Sequence, residues 1–495
     1  MTTNKKIGII GSGFSGLAAA SVLAKENHSV HVFEKNDQIG GRARKFSAEG
    51  FTFDMGPSWY WMPDVIEKFY NKFNHTTSDF YELIKLDPGF KVIFKDADAV
   101  SIPAKWDELC QLFEDIETGA ADKLRKFMSG AEYKYNIGVN DLVYQPGLSI
   151  LEVLRMDLVM GVFKLDVFSS FRTHVRKYFK DPRLVAIMEF PVLFLGAMPK
   201  DTPALYSLMN FAGMKQGTFY PMGGFSKIPE AMKKIALEQG VEFHLNHDVK
   251  EIVLDHNRAT HLRFDHKKES VDSIIASADY HHVEQVLLPE SHRNYNEKYW
   301  NNRVFAPSSL LFYLGVDKKV PNLDHHNLFF DEDLDQHAEE LYVNKSWPSK
   351  PLFYVCCPSK TDVTVAPEGK ENVFLLMPLA PGLEDGENLR EAYFDIMMDR
   401  LEAYTKSEIR AHISYKRSYC ISDFESDYNA YKGNAYGLAN TLLQTANLKP
   451  KIKNNKIDNL YYTGQLTVPG PGVPPSIISG QVAADQLLKS IKKSK

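Results

Sequence analysis

The sequence predicts an α/β protein: a Rossmann-like dinucleotide-binding domain into which a discontinuous α+β domain and a helical subdomain are inserted. Three observations carry this. Near the start, the apolar run Ile7-Gly8-Ile9-Ile10 meets Gly11-Ser12-Gly13-Phe14-Ser15-Gly16 and then an Ala- and Leu-rich stretch. In the middle, residues of about 106–200 space their apolar side chains by three and four, whereas 309–316, 352–357 and 372–379 are short, apolar, aromatic runs. At the end, Tyr461-Tyr462-Thr463-Gly464-Gln465 and a Gly/Pro-rich loop lead into a second Ala- and Leu-rich stretch.

The run at 7–10 is too short for a helix and stops at glycine, so it reads as a buried parallel strand. Gly11 allows the sharp turn that follows, Gly13 lets the backbone approach a pyrophosphate, and Gly16 lets the next helix pack on the strand. That helix, expected over 14–26, offers its free N–H groups, among them those of Phe14 and Ser15, and its positive dipole end to phosphates. A second strand at 29–33 ends on Glu34, eighteen positions beyond Gly16, where an acid is placed to bind ribose hydroxyls. Lys35 follows it. Strand, turn, helix, strand and acid agree, which favours dinucleotide binding over a glycine turn kept for packing.

A second glycine element comes next, Gly40-Gly41-Arg42-Ala43-Arg44, followed by Asp54-Met55-Gly56-Pro57-Ser58. Paired glycines let a backbone pass beside a cofactor, and an arginine there neutralises pyrophosphate with forked donors. This pair of segments resembles the GGR signature and D-x-G-P turn of the amine oxidase and phytoene desaturase superfamily, which implies FAD. An NAD dehydrogenase has no need of it.

A length of 495 residues allows two or three domains. A net charge of −5 supplies no basic footprint, so nucleic acid is a poor partner. Cys110, Cys356, Cys357 and Cys420 show no CxxC spacing, which suits a reducing, cytoplasmic setting with Cys356 and Cys357 as core thiols. No span of eighteen apolar residues occurs, so no membrane-crossing helix is expected, while attachment to a membrane surface stays open. No metal-ligand spacing is evident.

Along the chain, 63–73 has helical spacing behind Pro63, and 81–103 alternates as strands around Asp87-Pro88-Gly89. Within the helical region, 148–171 is either a packed core helix or an amphipathic helix lying on a membrane. The almost uncharged tracts 190–199 and 202–214 suit a core or the wall of an apolar tunnel. Pro221-Met222-Gly223-Gly224 resembles the segment with which the superfamily returns to its FAD domain, before a helix at 228–238. Strands are expected at 241–245 and 252–254, and the resemblance implies that Val249 between them contacts the adenine end of FAD. His281 and His282 follow a strand at 273–279 and read as ordinary turn residues rather than acid–base groups. Phe312, Phe353, Tyr354 and Phe374 could form one aromatic wall for a hydrocarbon, or a plain core, and 389–405 is an amphipathic helix.

The final segment closes the cofactor site: Gly464 and Gln465 at a strand end, Gly472, Val473 and Pro474 in a rigid loop, and a helix at 476–491 that aims its N–H groups at the flavin's pyrimidine edge. With both ends in hand, the whole chain resembles bacterial carotenoid desaturases of the phytoene desaturase type, which implies FAD-dependent removal of hydrogen from phytoene towards lycopene. The family commonly has Gly-Ala-Gly-Thr where Thr463-Gly464-Gln465-Leu466-Thr467 stands here. The resemblance further implies a lipophilic polyene substrate, a peripheral membrane position in the cytoplasm, and oxygen or a quinone as electron acceptor. It divides the chain into a cofactor domain of 1–95, 220–290 and 420–495 and a substrate domain of 96–219 and 291–419. The proton-accepting residue is not legible; Asp54, His281 and Arg42 fall near the expected cofactor, with Asp54 and Arg42 better suited to holding structure and phosphate. Two rivals share the motifs or architecture: a carotenoid or retinoid isomerase or saturase, and a non-enzymatic prenyl-binding module like the GDP dissociation inhibitors.

Overall fold

The computed structural model describes residues 4–140, 142–147 and 169–493. The helix expected over 148–171 lies almost wholly outside the described residues.

Five parallel strands make the first sheet, in the order Leu460–Tyr462, Ser273–Ala276, Lys6–Ile10, Ser29–Phe33, Glu242–His244. Ile7 and Ile9 turn one way, into a core with Ala19, Ala20 and Leu23 of helix Phe14–Lys25 and Ala483, Ala484 and Leu487 of helix Val473–Lys493. Gly8 and Ile10 turn the other way, towards an antiparallel meander of Glu251–Asp255, Arg258–Arg263 and Lys268–Ser270 that contributes Leu262 and Val271. With both faces covered, the central strand is apolar from Ile7 to Ile10, as a buried parallel strand is expected to be.

A seven-stranded sheet stands beside it, in the order Ile413–Tyr419, Ser308–Val316, Glu371–Leu379, Phe353–Cys356, His326–Phe329, Phe90–Ile93, Val100–Ile102. Phe90–Ile93 pairs in parallel with His326–Phe329, so it belongs here and not before a boundary at residue 95. The expected aromatic wall divides. Side chains alternate along a strand, so Phe312 and Phe353 pack towards helix Glu387–Thr405, Phe312 against Phe394 at 4.9 Å. Tyr354 and Phe374 lie on the opposite face with Leu311, Tyr313 and Leu328. That face meets helices Trp106–Ile116, Ala120–Asn140, Phe171–Tyr178 and Pro182–Glu189 in the largest core of the molecule.

After Ala276 the chain turns directly into helix Tyr280–Gln285, capped by Asp279, whose carboxylate accepts from the His282 amide at 3.3 Å. His281 and His282 are therefore helical, not residues of a strand end. Glu284 in this helix is fully buried and accepts from the Asn294 amide at 2.8 Å, the Tyr295 amide at 3.0 Å and the Tyr462 hydroxyl at 3.0 Å, tying the helix to the cofactor sheet. Burial pushes its carboxyl up to about 7 from an ordinary 4.5. The folded state therefore holds this proton more tightly than the unfolded chain, and stability falls as pH rises through that interval. Relative to Glu284→Gln, the wild type is expected to lose up to about 3 kcal/mol between pH 4.5 and 7. Urea unfolding across that range checks it, and parallel pH profiles for the two proteins would refute the assignment.

Candidate functional site

A cleft of about 460 Å³ runs from the carboxyl ends of the parallel strands to the face of the second sheet that carries Tyr354. Gly11, at φ +95°, turns the chain out of the first strand, and its amide donates to the Phe33 carbonyl at 2.8 Å. Gly13 caps the first helix, and a Cβ there would meet nothing within 4 Å among the described residues, so the cleft reaches the backbone itself. Ser12, Phe14 and Ser15 line the cleft with it. Gly16 does not: a Cβ there would lie 2.2 Å from the Gly11 carbonyl oxygen, so its role is helix–strand packing.

Glu34 sits at the end of the second strand, nearly buried, with both oxygens held. Oε2 accepts from the Ser12 amide at 2.9 Å and hydroxyl at 2.7 Å, and Oε1 from the Asn36 amide at 3.0 Å and side chain at 3.1 Å. The carboxylate is thus fixed at the cleft wall, its four lone-pair sites engaged by these four donors, so a ligand hydroxyl would have to share one of them. Lys35 lines the cleft and donates from Nζ to the Ser426 carbonyl at 2.7 Å, joining the sheet to helix Ile421–Tyr428. Val249 lines the same end.

Gly40 and Gly41, at φ +105° and +56°, carry the chain past the first turn; the Gly40 amide donates to the Ser12 carbonyl at 2.9 Å, and a Cβ on Gly41 would lie 3.2 Å from Gly13 Cα. Arg42 then projects into the cleft, stacked over Tyr428 at 5.0 Å, with Nη2 donating to the Asn434 carbonyl at 3.0 Å and Nε buried without a partner among the described residues. Burial lowers its pKa, with Tyr428 and Asp279 opposing, and a guanidinium is not deprotonated in proteins. A buried N–H left unpaired costs about 1–3 kcal/mol, which an anionic ligand would recover. Gly56, Pro57 and Ser58 form the adjoining wall, and a Cβ on Gly56 would lie 2.6 Å from the Arg42 carbonyl oxygen.

Asp54 is not in the wall. It accepts from the Phe225 amide at 2.6 Å and the Ser226 amide at 3.0 Å and pins the Gly223-Gly224 segment, a structural tie. His281 stacks on Tyr431 at 3.9 Å and bonds Glu297 at 2.9 Å away from the cleft, while His282 lines it, with burial lowering its pKa to about 4.

From the other chain end, Gly464, Gln465, Gly472, Val473 and Pro474 all line the cleft. The helix starts earlier than expected, at Val473. Pro474 and Pro475 carry no N–H and the Ser476 amide is taken by the Gly472 carbonyl at 3.0 Å, so this helix end offers its dipole and few free donors.

Beyond these residues the walls become apolar: Trp59, Trp61, Phe190, Leu193, Met209, Leu328, Phe330, Leu341, Leu352 and Leu376. Tyr354 stands among them, bonded to Ser58 and to the buried His326. Sequence reasoning placed Tyr354 in the wall and missed its polar partners, because Ser58, His326 and Tyr354 come together only through sheet pairing. His325, His326 and Cys356 bring ligand-type atoms within 4.8 Å of one another, as do the more exposed His31, Glu242 and His244. Burial pushes the Cys356 thiol up to about 12, so it is protonated.

A glycine cradle at a helix start, a fixed acid, an arginine with a spare buried donor and an apolar chamber beyond them define a flavin-dependent oxidoreductase, and the residues present fit FAD. The chain belongs to the flavin-containing amine oxidoreductase family, whose model matches residues 14–488, and it groups there with carotenoid desaturases. It is 37% identical over 499 residues to a carotenoid 3,4-desaturase of Haloarcula japonica, covering 99% of each chain. It is 28% identical to a zeta-carotene-forming phytoene desaturase of Myxococcus xanthus, covering 98% of this chain and 94% of that one. Cyclohexylamine oxidase from Brevibacterium oxydans shares the fold, with a TM-score of 0.57 at 16% identity over 99% of this chain and 100% of that one.

Proposed function

We propose that this protein desaturates a carotenoid precursor, phytoene towards lycopene, with Gly11, Gly13, Glu34, Arg42, Val249, Gly464 and the segment from Gly472 to Pro474 holding FAD. The observation that carries this reading is the division of the cleft. Among the described residues, the charged side chains lining it are Glu34, Lys35, Arg42, Asp248, Asp279 and Asp427, all at the dinucleotide end. A hydrocarbon has no group for a salt bridge or hydrogen bond to grip, so binding rests on buried apolar area, worth about 25 cal/mol per Å². Trp59, Phe190, Leu328 and Leu376 supply such a surface.

FAD, when bound, supplies the hydride acceptor. The chain's own residues orient the polyene, exclude water and receive a proton. Arg42 and the start of helix Phe14–Lys25 hold phosphate charge, and Trp59 and Trp61 wall the chamber. Such a substrate resides in lipid, so the reading carries with it a peripheral membrane position on the cytoplasmic side and reoxidation by oxygen or a quinone. Among the described residues no helix is long and apolar enough to cross a membrane.

A second reading, desaturation at the 3,4 position of a longer chromophore, is favoured by the 37% identity to the Haloarcula japonica protein over 99% of both chains. Expression in a host that accumulates phytoene separates the two. A coloured product formed from phytoene supports the first; absorbance shifted to the red of lycopene's own bands, seen only when lycopene is supplied, supports the second; no new chromophore with either carotene removes both.

A further inference from the structure

Tyr354 stands where the apolar chamber meets a small buried polar group. Its hydroxyl lies 3.0 Å from Ser58 Oγ and 2.6 Å from His326 Nδ1. Ser58 and Tyr354 both line the cleft, and Ser58 belongs to the turn beside Arg42. His326 is fully buried behind them, stacked on Trp59 with ring centroids 4.2 Å apart and planes 11° apart. Facing it are His325, at 4.5 Å between ring centroids, and Cys356, its pairing partner on the neighbouring strand. Its Nε2 is buried without a hydrogen-bond partner among the described residues. One imidazole nitrogen is thus tied to a cleft-lining hydroxyl while the other is unsatisfied, an arrangement that costs stability.

We infer that Ser58, Tyr354 and His326 form the proton-accepting relay of the desaturation, opening at the Tyr354 hydroxyl and ending on His326. The inference rests on the carotenoid reading above. One carbon of the substrate gives up hydride to the flavin. The C–H bond on its neighbour then breaks, and its electron pair becomes the new C=C bond. The released proton goes to the Tyr354 oxygen as Tyr354's own proton passes to His326 Nδ1. Ser58 holds the hydroxyl at the substrate, and the imidazolium lies against the face of Trp59, where a cation is favoured. When product leaves, the proton returns by the same route to water entering the cleft.

The resting charges suit this. Burial lowers His326 well below its ordinary value and His325 to about 3, so both rest neutral, and Cys356 rests protonated. The proton beside an allylic cation is a far stronger acid than an imidazolium, so a weakened base still accepts it. A metal held by His325, His326 and Cys356 would need the thiol ionised and would compete for the Nδ1 that Tyr354 occupies.

The test uses flavin-loaded Tyr354→Phe and His326→Gln with phytoene deuterated at its reacting carbons. Both variants are expected to lose about 100-fold in kcat with KM nearly unchanged, and a deuterium isotope effect at the carbon that loses the proton, masked in the wild type, should emerge. A lowered kcat with no change in that isotope effect, or loss of flavin by both variants, assigns these residues to structure and overturns the relay. Variants with wild-type kcat overturn it alone, whereas a wild type inert on carotenes removes the functional reading and the relay together.

Discussion

Gly13→Leu is expected to yield a folded protein that retains no flavin. The backbone at Gly13 has φ −69° and ψ 177°, which any residue adopts, and a Cβ there meets nothing within 4 Å among the described residues. The protein itself therefore tolerates the side chain, and whatever it displaces is the ligand. The space it fills is the mouth of helix Phe14–Lys25, where N–H groups and dipole together favour phosphate. FAD affinity should fall by at least about 100-fold, or about 3 kcal/mol. Flavin absorbance of the purified protein and titration with added FAD measure the loss, and thermal unfolding of the apoprotein should match that of flavin-stripped wild type. A yellow, active Gly13→Leu protein would show that the pyrophosphate sits elsewhere.

Gly480→Val is expected to act oppositely, on the fold first. Helices Phe14–Lys25 and Val473–Lys493 approach so closely that a Cβ on Gly480 would lie 2.1 Å from the Ser15 carbonyl oxygen and 2.9 Å from Ala18 Cβ. No flexible side chain is available to give way; one helix must move off the other. Overpacking of this kind costs about 3 kcal/mol or more when backbone has to shift. Since Val473 and Pro474 line the cleft from the start of the displaced helix, flavin retention should fall with stability. Chemical unfolding of the apoprotein gives the first effect free of the second, and an unchanged midpoint would refute the helix contact.

The cradle was legible in sequence because its parts are local: Gly11, Gly13 and Gly16 share one turn, and Glu34 ends the next strand. Arg42 and Gly56 were legible through a neighbouring signature of the same kind. The chamber was legible only as composition. An aromatic run shows that a strand is buried, while which side chains face the cleft depends on register, so Phe312 and Tyr354 could not be separated until Ser308–Val316 was seen paired with Glu371–Leu379 and that strand with Phe353–Cys356. The relay left no trace in the sequence, since its members lie far apart and a lone Ser, Tyr or His carries no periodicity. The early start of the final helix was hidden by Pro474 and Pro475, which read as a loop yet are well suited to a helix's first turn.

The order of strands in the cofactor sheet sets the timing of assembly. Lys6–Ile10 and Ser273–Ala276 leave the ribosome long before Leu460–Tyr462, the strand that completes the row beside them. Until then Ser273–Ala276 is an open edge, with unpaired backbone groups that invite pairing between nascent chains. The cleft likewise waits for Gly464 to Pro474, which follow that strand, so a chain cut before residue 460 is expected to leave the edge open and to hold no flavin.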